Sequence, residues 1–206
     1  MILDEIKQIC IVGNSGNMIG SNLGEKIDKY EYVARFGLGL PENHPKLLKD
    51  IGTKTNIYIK RNQPRKYKDP NIKHVFTRMI SENVNGLKGR GATPRPIYVN
   101  ENDARHHKGY RKMLHSFWQE TKYDSRKTTS GMAFLLLCLY HQVPEINICG
   151  FTTNDNHNPK ERYDFSTASG IDYIKAAKAG KLQHNFEKER NFISQLIKEK
   201  KINYLQ

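Results

Sequence analysis

CIVGNSGNMIGSNLGEKIDKYEYVARFG, residues 10–37, is the stretch that decides the fold. It begins inside a short apolar run, Ile6 to Val12, which Gly13 stops, and such a run bounded by a glycine reads as a buried strand. Asn14-Ser15-Gly16-Asn17 reads as a turn, Ser21 to Asp28 as a short helix, and Tyr32 to Phe36 as a second strand ended by Gly37. Strand, glycine-bearing turn, helix and strand form the opening of an α/β unit with parallel pairing. Further short strands are expected over Thr55 to Ile59, His74 to Phe76, Ile97 to Val99 and Ile146 to Cys149. The apolar run Met132 to Tyr140 is helical by length, and Asn185 to Lys201 is an amphipathic helix with Phe186, Phe192, Ile193, Leu196 and Ile197 on its apolar face.

The chain has 206 residues, a length that fits one domain with a proper core. At 37% hydrophobic and 10% aromatic it is not generally disordered. Its longest greasy stretch, Ala133 to Leu139, falls well short of the roughly 18 apolar residues a membrane helix needs. The opening MILDEIKQIC carries acids where a signal peptide carries Lys or Arg, so that route of secretion is not expected. Thirty-four Lys and Arg against 21 Asp and Glu leave a net charge of +13, which suits polyanions of several kinds. Much of that excess sits in residues 54–78 and 105–127. Cys10, Cys138 and Cys149 each lie in an apolar run without a CxxC pair, so they read as buried thiols in a reducing compartment.

Three local patterns carry chemistry. The turn after Gly13 is expected to expose backbone N–H groups near the start of a helix, which suits a phosphate, although it is neither GxGxxG nor GxxxxGK[ST]. Thr128-Thr129-Ser130-Gly131 places hydroxyls and a glycine at the start of the Met132 helix, where an anion or ribose could sit; the plainer alternative is simple capping by Ser130. His184, followed by Glu189 at the start of the last helix, is a candidate general base. No HExxH or paired CxxC occurs, so no metal site is expected.

Taken together and in this order, the stretches resemble the sialylmotifs of the sialyltransferases, glycosyltransferase family 29. Residues 10–37 with DIGTKTNIYI (50–59) are similar to the large motif, TTSGMAFLLLCLYHQVPEINICGF (128–151) to the small motif, and HNFEKE (184–189) to the very small motif. The resemblance implies a single catalytic domain over 1–206, a Rossmann-like α/β sandwich of the variant glycosyltransferase-A kind. It implies an inverting transfer of sialic acid from a CMP-sugar to a hydroxyl of a glycan or glycolipid, with neither metal nor other cofactor. By carry-over, Asn14, Ser15 and Asn17 line the phosphate and ribose side of the donor. Thr129, Ser130 and Gly131 receive the cytidine and ribose, His184 deprotonates the acceptor, and Glu189 supports the last helix.

Three departures sharpen the expectation. Gly37 stands where the family has a nucleotide-holding Asn, which leaves a related acidic sugar such as Kdo open as donor. Arg162, with His157 as competitor, replaces the third-motif His, and a guanidinium is a sound phosphate ligand. Ile9 and Val143 occupy the positions that a disulfide joins in related Golgi enzymes. A soluble cytoplasmic homologue of bacterial or viral origin is therefore expected, with a basic surface suited to an anionic membrane face. The competing class is a basic nucleic-acid-binding α/β protein, suggested by Tyr67, Tyr110 and Trp118 among Lys and Arg, although no RRM, KH or zinc signature supports it.

Overall fold

The computed structural model describes residues 2–61, 71–79, 97–100, 128–153 and 186–206. Within them the strands are β1 (Gln8–Val12), β2 (Tyr32–Phe36), β3 (Ile57–Arg61), β4 (His74–Met79), β5 (Ile97–Asn100), β6 (Glu145–Cys149) and β7 (Asn203–Tyr204). The α-helices are α1 (Gly24–Asp28), α2 (Leu48–Ile51), α3 (Ser130–Tyr140) and α4 (Phe186–Lys198). The strands form one sheet in the order β5-β4-β3-β2-β1-β6-β7, parallel throughout except for β5, which runs antiparallel to β4. The α/β architecture with parallel pairing is thus as expected.

Apart from their first residues and from Arg35 and Asn147, the central strands β1, β2 and β6 are apolar because both faces of the sheet are covered. Ile9 and Ile11 of β1 point into one core with Ala34, Phe36, Ile57, Ile59, Phe76, Ile146 and Ile148. Residues Met132 to Cys138 of α3 fill that core, with Ile193 and Leu196 of α4. A helix buried on nearly every side has no polar stripe to show, which is why α3 reads as an uninterrupted apolar run. Cys10 and Val12 point the other way, into a smaller core with Val33, Cys149, Met18, Leu23, Ile27 and Ile51. All three cysteines are free and buried. The Cys10 thiol resists ionisation, because it hydrogen-bonds with Cys149 and is itself desolvated.

Some elements begin elsewhere than the sequence suggests. The helix expected over Ser21 to Asp28 is α-helical only from Gly24. Asn22 is held at φ 56°, and the Asp50 carboxylate accepts the N–H groups of Gly20 and Asn22 at 2.9 Å each, fixing this segment as a loop. A single 3-10 turn, Gly16–Met18, follows β1 instead. Arg35, fully buried on β2, donates to the carbonyls of Ile51 (2.5 Å) and Lys54 (3.0 Å). Asp28 accepts the N–H groups of Thr53 and Lys54 at 2.9 Å. One buried cation thus takes the carbonyls of the α2–β3 link while one carboxylate takes its amides. Burial pulls the Arg35 pKa down, and the nearby thiols and Asp28 oppose that.

The chain runs from β1 to β2, β3 and β4 on one side and returns as β6 on the other side of β1. That reversal of direction makes a crevice outside the carboxyl ends of β1 and β6, where ligands of open α/β sheets bind. Gly13 and Gly150 meet there. A Cβ added to Gly13 would come 2.2 Å from the Gly150 carbonyl oxygen, and one added to Gly150 would come 2.4 Å from that of Gly13. Since the obstacle is backbone on both sides, Gly13→Ala is expected to cost about 3 kcal/mol in urea unfolding. Gly37, at φ +52° with nothing within 4 Å of its missing Cβ, is the contrast: Gly37→Asn should cost about 1 kcal/mol or less, because Asn tolerates this backbone region. Equal costs for the two would contradict the packing assigned to Gly13.

Candidate active site

The crevice is assembled from three sequence segments. The first leaves β1 at Gly13, whose N–H donates to Cys149 O at 2.8 Å, while that of Ser15 donates to Gly150 O at 3.0 Å. These two amides are spent on joining the turn to β6, so Gly13 and Ser15 do not contribute to the expected row of exposed N–H groups. Ser15 caps the 3-10 turn, its hydroxyl accepting from the Asn17 N–H at 3.5 Å. What the turn does present is two side chains, Asn14 and Asn17, both half-buried. Asn14 donates to Phe36 O at 3.4 Å and lies against Gly39, where a Cβ would sit 2.1 Å from its side-chain oxygen. Asn17 donates to Phe151 O at 3.2 Å and to the Tyr204 hydroxyl at 2.8 Å.

The second segment is the start of α3. Its cap is Thr129, which corrects the alternative that gave the cap to Ser130: the Thr129 hydroxyl accepts from the Met132 N–H at 3.1 Å, and Ser130 is the first helical residue. Gly131 lies one position on, against the Phe151 ring, where a Cβ would come within 2.9 Å of a ring carbon. Phe151 therefore touches both sides of the crevice, its carbonyl held by Asn17 and its ring packed on Gly131. Ser130 and Gly131 stay partly exposed in the first turn, with the fully buried Thr128 behind them.

The third segment is α4. Glu189 shares a helix face with Ile193 and Leu196, and at 5% exposure it is a carboxylate inside the apolar stripe. Its two oxygens accept from the backbone N–H and the hydroxyl of Thr129, both at 2.6 Å. A negative charge is well placed there, since the N-terminus of α3 carries partial positive charge. Glu189 thus supports the start of α3 rather than its own helix alone, a role its sequence position does not reveal. The Thr129 hydroxyl serves twice, giving its hydrogen to Glu189 and taking one from Met132.

The structure therefore brings Asn14, Ser15, Asn17, Thr129, Ser130, Gly131 and Glu189 to one edge of the sheet. His184, Arg162 and His157 lie outside the described residues, as do Tyr67, Tyr110 and Trp118. Two participants were missed in the sequence. Phe151 is marked only by following the strand-ending Gly150, and Tyr204 lies on a two-residue strand too short to show alternation.

The sequence model of glycosyltransferase family 29 (sialyltransferase) matches residues 3–201. The chain belongs to this family. Among curated proteins it is 22% identical to mouse (Mus musculus) CMP-N-acetylneuraminate-beta-galactosamide-alpha-2,3-sialyltransferase 2, over 96% of this chain and 56% of that protein. The protein of the same name from rat (Rattus norvegicus) is also 22% identical, over 75% of this chain and 45% of its own length. The chain thus spans about half the length of the curated relatives it matches. A crystal structure of a mammalian sialyltransferase in complex with Gal-beta-1-3GalNAc-ortho-nitrophenol has the same fold, with a TM-score of 0.61 at 18% identity over 97% of this chain and 69% of that one. Among the described residues, no helix is long and apolar enough to cross a membrane.

For this family 29 chain the Thr129–Glu189 pair yields a stability test. Glu189→Ala strands a buried N–H and a hydroxyl, and should cost about 2–3 kcal/mol by chemical denaturation. Thr129→Ala should cost about 0.5–2 kcal/mol through the lost cap. Because both variants break one shared network, the double variant should lose clearly less than the sum. Simple additivity would place the two residues in separate roles.

Proposed function

We propose that this chain transfers sialic acid from CMP-sialic acid to a glycan hydroxyl, with inversion and without a metal ion. The observation that carries the proposal is the convergence of the family's three signature segments on one crevice, joined by the Glu189–Thr129 and Asn17–Phe151 contacts. The nucleotide lies across the carboxyl ends of β1 and β6, between Asn14, Ser15 and Asn17 on one side and Thr129, Ser130 and Gly131 on the other. Arg162 supplies a cation to the phosphate.

The acceptor hydroxyl attacks the anomeric carbon as His184 takes its proton. The bond from that carbon to the phosphate oxygen breaks on the opposite face, and CMP departs with the electron pair. Charge grows on the phosphate as it leaves, and the positive end of α3, together with Arg162, stabilises it. Glu189, which holds Thr129 rather than substrate, is a positioning residue. The names of the relatives specify a beta-galactosamide, which favours an acceptor of that class here. The net charge of +13 suits an acidic donor and an anionic acceptor or membrane surface. Three free, buried cysteines favour a reducing compartment such as the cytoplasm.

One observation keeps a second donor in play. Gly37 has no side chain to offer where the family has an Asn, so CMP-Kdo should be assayed beside CMP-sialic acid. Thermal-shift measurements with CMP, CDP, UDP and GDP are expected to give selective stabilisation by cytidine nucleotides. Transfer should persist in EDTA, and His184→Ala should lower kcat by about 100-fold or more. No response to any cytidine nucleotide, with steeply salt-dependent binding to oligonucleotides instead, would overturn the proposal in favour of a nucleic-acid-binding protein.

A further inference from the structure

Asn17 is held by two partners that between them determine which way its amide faces. Phe151 O can only accept, so the Asn17 atom 3.2 Å from it must be the nitrogen. The Tyr204 hydroxyl gives its own hydrogen to the same Phe151 carbonyl at 2.8 Å, which leaves its oxygen to accept the second Asn17 N–H, also at 2.8 Å. Both amide hydrogens are therefore consumed inside the protein. The remaining atom, Oδ1, is buried and has no hydrogen-bond partner among the described residues. An orphaned acceptor of this kind is costly, and it can be satisfied only by an incoming O–H or N–H.

Tyr204 comes from far away in sequence to do this. It lies on β7, at the sheet edge beside β6, in register with Ile148, and the Leu205 N–H bonds to Ile148 O at 2.9 Å. The strand is only two residues long, yet it delivers a hydroxyl to the turn after β1.

We propose that Tyr204 is a positioning residue that fixes the polarity of Asn17, so that Asn17 meets the donor nucleotide as a hydrogen-bond acceptor. An acceptor cannot serve a phosphate, which offers no hydrogen at neutral pH. It can serve a ribose hydroxyl or the base amino group. This narrows the part assigned to Asn17 from the phosphate-and-ribose side to the nucleoside alone, and it leaves the phosphate to the α3 N-terminus and to cations. The inference rests on the reading that the crevice holds a cytidine nucleotide.

The test is calorimetric titration of the full chain with CMP and with cytidine, for the wild type, Tyr204→Phe, Asn17→Ala and the double variant. Tyr204→Phe removes one oxygen and keeps the ring, so the fold and the melting temperature should hold to within a few degrees, about the effect of one hydrogen bond. Its dissociation constants for CMP and cytidine should rise together, by about fivefold each, and the double variant should be no weaker than Asn17→Ala alone. Wild-type affinity in Tyr204→Phe would overturn the positioning role while leaving the nucleotide site intact. A loss seen with CMP but absent with cytidine would overturn the acceptor assignment. Additive losses would mean that Tyr204 does not act through Asn17. A wild type that binds neither ligand would overturn the nucleotide reading, and this inference with it.

Discussion

The backbones of Gly13 and Gly150 lie against each other where β1 and β6 leave the sheet, with no room for a side chain on either. The wall built from the turn after β1 is positioned by that approach. The approach lets the turn hand the amides of Gly13 and Ser15 to Cys149 and Gly150, so turn and strand end are joined by two backbone hydrogen bonds. It also brings Phe151 within reach of both Asn17 and Gly131. A larger residue at either position would push the first segment away from the second, and Asn17 would lose the carbonyl that orients it.

The opposite wall depends on a buried charge. A carboxylate in an apolar stripe is unfavourable unless its oxygens are satisfied, and Glu189 meets that condition at the N-terminus of α3. The pair are 60 residues apart in the chain. Through it α4, otherwise an ordinary amphipathic helix, fixes the place of Ser130 and Gly131. Glu189 thus organises one wall of the site through Thr129.

The fold was legible in the sequence wherever burial is two-sided. The core of β1 is an apolar run and Tyr32–Phe36 is apolar but for Arg35; both are cut off by glycines, and the structure has strands there. The start of α1 was not legible, because it is set by a carboxylate from a different segment, Asp50, acting on Gly20 and Asn22. Thr129 and Ser130 are equally good caps by composition. What separates them is Glu189, which draws off the Thr129 hydrogen and leaves the oxygen to accept from Met132. The partners of Arg35, the carbonyls of Ile51 and Lys54, are backbone and carry no residue code, so its burial inside β2 had no signal in the sequence.

The candidate site was readable as three motifs and unreadable as a network. Asn14, Asn17 and the hydroxyls of 129–130 stand out by type and position, whereas the donor and acceptor polarity of each depends on contacts to Phe151, Tyr204 and Glu189. Those contacts are long-range, and no local pattern encodes them. The most direct measurement is a crystal structure of the full chain with CMP bound. Density for the nucleotide across the carboxyl ends of β1 and β6, with its nucleoside against Asn17 and its phosphate by the start of α3, is the predicted result. A nucleotide bound elsewhere on the molecule, or a crevice empty at saturating CMP, would contradict the account.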